Sequence, residues 1–201
     1  MSVAALINRE IQSIREGEPF TTGRFLKLGS RSAIDKALSR LVKDDHLERV
    51  SRGVFVRPKK SRFVGKVMPD VSQVLEVIAE GHGETIQVHG AEAARRFKIS
   101  TQMPTQPVYY TNGPSRELRV GMLKVRLMHT TSHRRLQHAG KKTGLALSAL
   151  WYLGKEQVNS STIQRIREGL SSDEFETLRM MSMPGWMTKA IETYRNETRY
   201  A

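Results

Sequence analysis

The chain has 201 residues, of which 38% are hydrophobic and 26% charged, a composition typical of a folded protein rather than a disordered one. Its 33 Lys and Arg against 20 Asp and Glu give a net charge of +13, which favours a polyanionic partner. Because there is no cysteine, disulfides, thiol nucleophiles and cysteine zinc sites are excluded. No apolar run approaches the roughly 20 residues of a membrane span, and no signal-peptide pattern opens the chain. We therefore expect a cytoplasmic protein that has no membrane partner.

The charge excess is concentrated at the N-terminal end of the chain. Residues 1–63 carry 14 basic and 7 acidic side chains, a net charge of +7. Residues 64–140 have a net charge of +4, and residues 141–201 have one of +2. A strongly basic first third is typical of a nucleic-acid-binding segment, with a merely basic solvated surface as the alternative interpretation.

Periodicity in the first sixty residues predicts three helices followed by a β-hairpin. Gly29 separates the second helix from the third, and Ser32 with Asp35 has a spacing close to that of a capping box. Ser51, Arg52 and Gly53 form the predicted hairpin turn. The predicted elements are helices over residues 2–15, 21–28 and from residue 30 onward, and strands over residues 47–50 and 54–57.

A basic connector at residues 58–62 is predicted to separate this segment from a mixed α+β region. The fold class is therefore α+β: a winged helix-turn-helix domain over residues 1–63, then an α+β domain over residues 64–201 with a helical C-terminal third. In that second domain the sequence predicts helices near 71–78 and 91–97, strands at 85–88, 118–120 and 122–128, a turn at 109–114, and final helices at 143–153, 161–168, 171–181 and 187–194.

The third helix has the two faces that a DNA major groove requires. A helical wheel places its apolar residues together, where they would pack on the first two helices. The opposite face carries cations and hydroxyls that could reach phosphates and base edges. A solvated helix face is the alternative. The candidate DNA-binding residues of this segment are Arg31, Ser32, Lys36, Ser39, Arg40 and Lys43.

The hairpin that follows is also basic. Arg49, Arg52 and Arg57 lie on or beside it, and Gly53 permits the positive φ of a tight turn. Arg49 and Arg52 are therefore candidate DNA-binding residues, and Lys59 and Lys60 in the connector would follow the phosphate backbone. A basic hairpin after a basic helix favours duplex DNA as the partner.

Motifs for catalysis or cofactor binding are missing. His129, His133 and His138 have one i, i+4 spacing but no acidic residue near them, and no HExxH motif occurs. No GK[ST] follows the glycines near residue 82, and no GxSxG elbow is present. We therefore expect a protein that is not an enzyme and that binds no metal and no cofactor.

Several short motifs resemble the AbiEi-type antitoxins of type IV toxin–antitoxin systems, which are linked to phage abortive infection. The resemblance covers roughly residues 5–150 and does not extend to the last fifty. The motifs that carry it are GEPFTT at 17–22, LGSRSAIDKALSRL at 28–41, LERVSRGVFVRP at 47–58, GAEAA at 90–94, STQMP at 100–104 and YTNGPSR at 110–116.

The resemblance implies an antitoxin that represses its own operon. The first domain would bind repeats in the protein's own promoter, and the second would counter a nucleotidyltransferase-like toxin, by direct contact or without it. Two alternatives remain. The chain is a plain transcription regulator whose second domain senses a ligand or dimerises, or it binds RNA, although RRM, KH and dsRBD signatures are missing.

Overall fold

The computed structural model describes residues 2–61, 65–102 and 105–199. The fold is mixed α+β and divides into two compact units. The first unit comprises the described residues up to Glu84 together with Leu118–Lys124, and the second comprises Thr85–Glu117 and the described residues from Val125 onward. Among the described residues, no helix combines the length and apolar character needed to cross a bilayer.

The described residues of the first unit form three α-helices, a three-stranded antiparallel sheet and the two-stranded sheet β4-β5. The three-stranded sheet has the order β1-β3-β2, so that β3 is central and pairs with both neighbours. The elements are α1 (Val3–Ser13), β1 (Pro19–Thr21), a 3-10 helix (Thr22–Phe25), α2 (Arg31–Lys43), β2 (Glu48–Ser51), β3 (Val54–Val56), β4 (Lys59–Ser61), β5 (Gly65–Val67) and α3 (Val71–His82).

The core of this unit follows from the apolar stripes of α1 and α2. Ile7 of α1 and Ile34 and Leu38 of α2 are fully buried, because the helical repeat places them on facing sides. Phe20 joins the sheet to this core: its ring meets Phe25 edge-on at 5.6 Å between centroids. The apolar face of each helix is thus fixed, and the opposite face of α2 is left to solvent.

Three predictions for this unit are wrong in detail. The predicted helix over 21–28 is strand β1 followed by one 3-10 turn, because Pro19–Thr21 pairs with Val54–Val56 far along the chain. Ser32 does not cap α2: Ser30 does, with its hydroxyl accepting from the Ala33 amide at 3.3 Å. The predicted connector contains strand β4, which pairs with β5. Pro58 does not prevent this pairing, because a proline removes a hydrogen-bond donor only at its own position.

Helix α3 packs against β1 and β3 and so belongs to the first unit. Asp70 and Gln73 form a reciprocal capping box at its start, and Gly83 ends it in the left-handed conformation. The compact units accordingly divide after Glu84, whereas the domain boundary predicted from the sequence lies after residue 63.

The second unit combines a four-stranded sheet with helices. The sheet has the order β6-β7-β9-β8, in which β7 and β9 run parallel. Its strands are β6 (Ile86–Val88), β7 (Val108–Thr111), β8 (Arg116–Val120) and β9 (Leu123–His129), the last two of which cross the unit boundary. The helices are α4 (Gly90–Arg96), α5 (Lys142–Leu153), α6 (Ser160–Gly169), α7 (Ser172–Met180) and α8 (Gly185–Arg199), with a second 3-10 helix at His133–Leu136.

The predicted helical last third is confirmed, including the capping box of Ser171 and Glu174. The predicted turn at 109–114 begins too early. Tyr109 and Tyr110 are paired residues of β7, because aromatic side chains favour strands and the turn residues start only at Asn112.

Helices α4 and α5 approach each other closely through small residues. A side chain at Gly90 would place its Cβ 2.2 Å from the Tyr152 Cβ and 2.4 Å from the Ser148 carbonyl oxygen. Ala93 and Ala94 of α4 and Ala149 of α5 are fully buried in the same core. The absence of a side chain at Gly90 therefore permits the contact around which this core is built.

We expect His89 to make the stability of the second unit depend on pH. Its Nδ1 caps α4 by accepting from the Ala91 amide at 3.3 Å, so it must be neutral there. Burial, and secondarily the charge of Arg135, lowers the pKa of His89 below its usual 6.5. A lowered pKa stabilises the fold above pH 6.5, and this contribution should be lost as the pH falls through the folded-state pKa.

Urea unfolding between pH 7.5 and 5 measures this loss. His89→Asn retains a capping acceptor that does not titrate, so its free energy of unfolding should fall less over the same range. An identical pH profile for the two proteins would contradict the assignment.

Candidate nucleic-acid interface

Helix α2 has a polar face, and the buried residues of the helix determine on which side that face lies. Ser30 caps its N-terminus, and Ile34, Ala37 and Leu38 turn inward. The residues predicted from the sequence to contact DNA consequently lie on the outer side of the helix. All six are exposed: Arg31, Ser32, Lys36, Ser39, Arg40 and Lys43.

The β2–β3 hairpin is held in a fixed position relative to the core. Gly53 at its tip has φ +75°, and its carbonyl oxygen accepts from the amide of buried Thr22 at 3.1 Å. Arg49 and Arg52 are exposed on this anchored hairpin. Their side chains therefore project from a rigid support rather than from a mobile loop.

Between α2 and the hairpin lies a cleft of about 470 Å³, here called the α2–hairpin cleft. Arg31 and Ser39 line it from α2, and Arg49 and Arg52 line it from the hairpin. The fold thus brings together four of the predicted residues that are up to 21 positions apart in sequence, Arg31 and Arg52 being the furthest. An elongated anion such as a phosphate backbone is the complementary partner of this lining.

Asp35 is an acidic residue in the same cleft. The Nε of Arg31 lies 3.2 Å from both of its carboxylate oxygens, one helical turn away. Sequence reasoning assigned Asp35 to capping and overlooked this pair, although the i, i+4 spacing of an acid and a base on a helix could have indicated it. In the free protein Arg31 is accordingly partly neutralised.

Arg57 has a structural role instead. Its guanidinium donates to the Ile14 carbonyl oxygen at 2.6 Å and to the Gln12 carbonyl oxygen at 3.1 Å, which satisfies the carbonyls at the end of α1. It also lies 3.8 Å from the carboxylate of Glu16. Arg57 is therefore engaged within the protein and adds little to the basic hairpin surface.

The predicted connector residues lie partly within the described part of the chain. Lys59 is exposed in β4. The side chain of Lys60 and all of Arg62 lie outside the described residues. His129, His133 and His138 form no metal cluster: in the part of the chain that the structure describes, no three His, Cys, Asp or Glu come close enough to hold an ion.

Comparison with known protein families identifies the family of this chain. No curated protein matches the sequence. The model of a family of unknown function, DUF6088, matches residues 6–178, which cover most of each compact unit. The match extends over most of the chain, and the protein therefore belongs to the family DUF6088.

Proposed function

We propose that the first unit is a winged helix-turn-helix that binds duplex DNA, with α2 as the recognition helix and the β2–β3 hairpin as the wing. The order helix, strand, short helical turn, helix and hairpin supports this, as does the pairing of β1 with the central strand β3. In this arrangement the exposed face of α2 enters the major groove, while Arg52 at the hairpin tip contacts the adjacent backbone or minor groove.

The observation that carries the proposal is the lining of the α2–hairpin cleft. Arg31, Arg49 and Arg52 converge on it from two elements, and Asp35 is its one acidic residue among the described lining residues. Lys36, Arg40 and Lys43 extend the positive charge along the exposed side of α2. A helix with a buried apolar back and a cationic front beside a basic hairpin is suited to a groove flanked by phosphates.

The salt dependence of binding tests the electrostatic part of the proposal. We expect about 4 to 7 phosphate contacts, hence a slope of roughly −4 to −6 in a plot of log affinity against log salt concentration. The measurement is fluorescence anisotropy of the full chain with a duplex from the region upstream of its own coding sequence. A slope near zero would be incompatible with binding through this cationic surface.

Competition between nucleic acids separates DNA from RNA as the partner. In the same assay, unlabelled duplex DNA should displace the probe at lower concentration than duplex RNA. An α-helix fits the wide major groove of B-form DNA, whereas the major groove of A-form RNA is deep and narrow. More efficient displacement by RNA would favour an RNA-binding protein.

The proposal extends to an antitoxin that acts in the cytoplasm and represses its own operon. This part depends on the resemblance of residues 5–150 to AbiEi-type antitoxins, and it assigns neutralisation of a nucleotidyltransferase-like toxin to the second unit. Co-expression with the product of the adjacent gene tests it through cell survival. An adjacent gene whose product is harmless when expressed alone would favour a plain transcription regulator.

A further inference from the structure

The turn between β8 and β9 carries two large apolar side chains in solvent. Met122 is 100% exposed and Leu123 is 53% exposed. Large apolar side chains that project together from a soluble surface often mark a contact with a partner. Both side chains belong to Leu118–Lys124, here called the ribbon tip, which is part of the first unit.

The ribbon tip is anchored, and its exposure is therefore not fraying. Val120 is 4% exposed, and Gly121 has φ +59°. The position that a Cβ would take at Gly121 lies 3.4 Å from the Met68 Cγ, so the backbone here packs against a neighbouring segment of the same unit. Met122 and Leu123 thus project outward from a turn whose base is held in place.

Cations flank the two apolar side chains. Arg119 precedes them and Lys124 follows, both exposed, and no described residue forms an ion pair with either. In the sequence no acidic residue occurs between Glu117 and Glu156. This apolar tip lies between two cations. It is therefore complementary to a partner in which stacked apolar groups have anionic groups on both sides.

We infer that the ribbon tip inserts Met122 and Leu123 into the minor groove of duplex DNA and bends it, with Arg119 and Lys124 on the flanking phosphates. Apolar side chains wedged between base steps kink the duplex towards the major groove. Apolar wedging is a mode of minor-groove binding, whereas the major groove is read mainly through hydrogen bonds to base edges, which neither Met122 nor Leu123 can make. The inference rests on the proposed function, because the ribbon tip and the surface of α2 and the hairpin bind the same duplex.

A fluorescent duplex of about 30 base pairs from the upstream region, with a donor and an acceptor dye at its ends, measures bending as a rise in energy transfer. The full-length protein should raise the transfer on binding. Met122→Ala/Leu123→Ala should lose most of that rise and bind roughly 10-fold more weakly, while its salt slope stays the same. Arg119→Gln/Lys124→Gln should reduce the slope by about 2.

Met180→Ala is the matched control, because Met180 is 87% exposed and lies outside the ribbon tip. It should change neither transfer nor affinity. Binding of the wild type without bending, or unchanged bending by the Met122→Ala/Leu123→Ala variant, would overturn the inference and leave the proposed function intact. No binding of the wild type to any duplex would overturn both.

An anionic membrane is the competing partner for an apolar tip with cations. Sedimentation with phosphatidylglycerol–phosphatidylcholine vesicles tests it. Capture of the wild type that is lost in Met122→Ala/Leu123→Ala, together with unchanged bending by that variant, would overturn the inference in favour of a membrane contact. No capture of the wild type, with bending lost in the variant, supports it.

Discussion

Replacing Arg31, Lys36 and Arg40 with alanine should lower the affinity for duplex DNA by at least about 100-fold at physiological salt and leave the protein folded. Each lost phosphate or base contact costs on the order of 1 to 3 kcal/mol. All three side chains are exposed, whereas the core contacts of α2 are made by Ile34 and Leu38. Anisotropy titrations measure the affinity, and urea unfolding measures the stability.

Stability should change little because, among the residues that the structure describes, the one ion pair removed is that between Arg31 and Asp35. Their side chains are 61% and 53% exposed, so the pair contributes less than about 0.5 kcal/mol after solvent screening. Alanine also has a higher helix propensity than the residues that it replaces. A loss of affinity accompanied by unfolding would therefore not support a role in DNA binding.

A matched triple variant controls for the loss of net charge. Lys155, Lys189 and Arg195 are exposed cations of the second unit, and their replacement by alanine also lowers the net charge by three. This variant should retain the affinity of the wild type within a few-fold. Equal losses in the two variants would mean that net charge rather than the face of α2 determines binding.

The Arg31, Lys36 and Arg40 variant also tests the division of labour between the units. Supplied from an unrelated promoter at a matched level, it should still protect cells against the proposed toxin, because neutralisation is assigned to the second unit. Matched expression matters, since loss of repression would by itself alter the amount of protein. A folded variant that fails to bind DNA and also fails to protect would mean that neutralisation of the toxin requires DNA binding, contrary to this division.

Gly90→Ala should destabilise the second unit by roughly 3 kcal/mol, at the upper end of the usual cost of overpacking. The new Cβ would meet the Tyr152 Cβ at 2.2 Å and the Ser148 carbonyl oxygen at 2.4 Å. A backbone atom cannot rotate away, so α4 and α5 must separate and weaken the contacts of Ala93 and Ala94. Urea unfolding followed by tryptophan fluorescence reports this unit, because Trp151 and Trp186 both belong to it.

Gly185→Ala is the control for the change of residue type. Gly185 begins α8, and a Cβ there meets no atom within 4 Å. The free energy of unfolding should stay within about 0.5 kcal/mol of the wild type or rise slightly. A Gly90→Ala variant with the same free energy of unfolding as the wild type would show that α4 and α5 can move apart without cost.

Local patterns predicted α1, α2 and the β2–β3 hairpin of the first unit well, but not strand β1. A short sequence window is enough to show the apolar stripes of α1 and α2 and the turn at Gly53. The ends of the predicted hairpin strands lie within one residue of the observed ones. Strand β1 has only three residues, Pro19–Thr21, and its partner strand lies more than thirty positions away. A short window contains neither the partner nor an alternation long enough to identify a strand.

The same limit applies to the candidate site. The exposed face of α2 could be predicted because it is the complement of an apolar stripe. Two other features could not be predicted, because both depend on how distant segments pack. Arg57 caps α1, and Arg49 shares a cleft with Arg31.

The pairing of β1 with β3 closes a loop in the chain that contains α2. Thr21 is paired with Val54, and everything between them, including the whole of α2, is tethered at both ends to one sheet. Because Ile34 and Leu38 are also fully buried, the helix cannot swing outward without exposing the core, so its surface is preorganised before any partner arrives. Association of such a surface is governed by the rate of encounter and orientation rather than by a slow rearrangement of the protein.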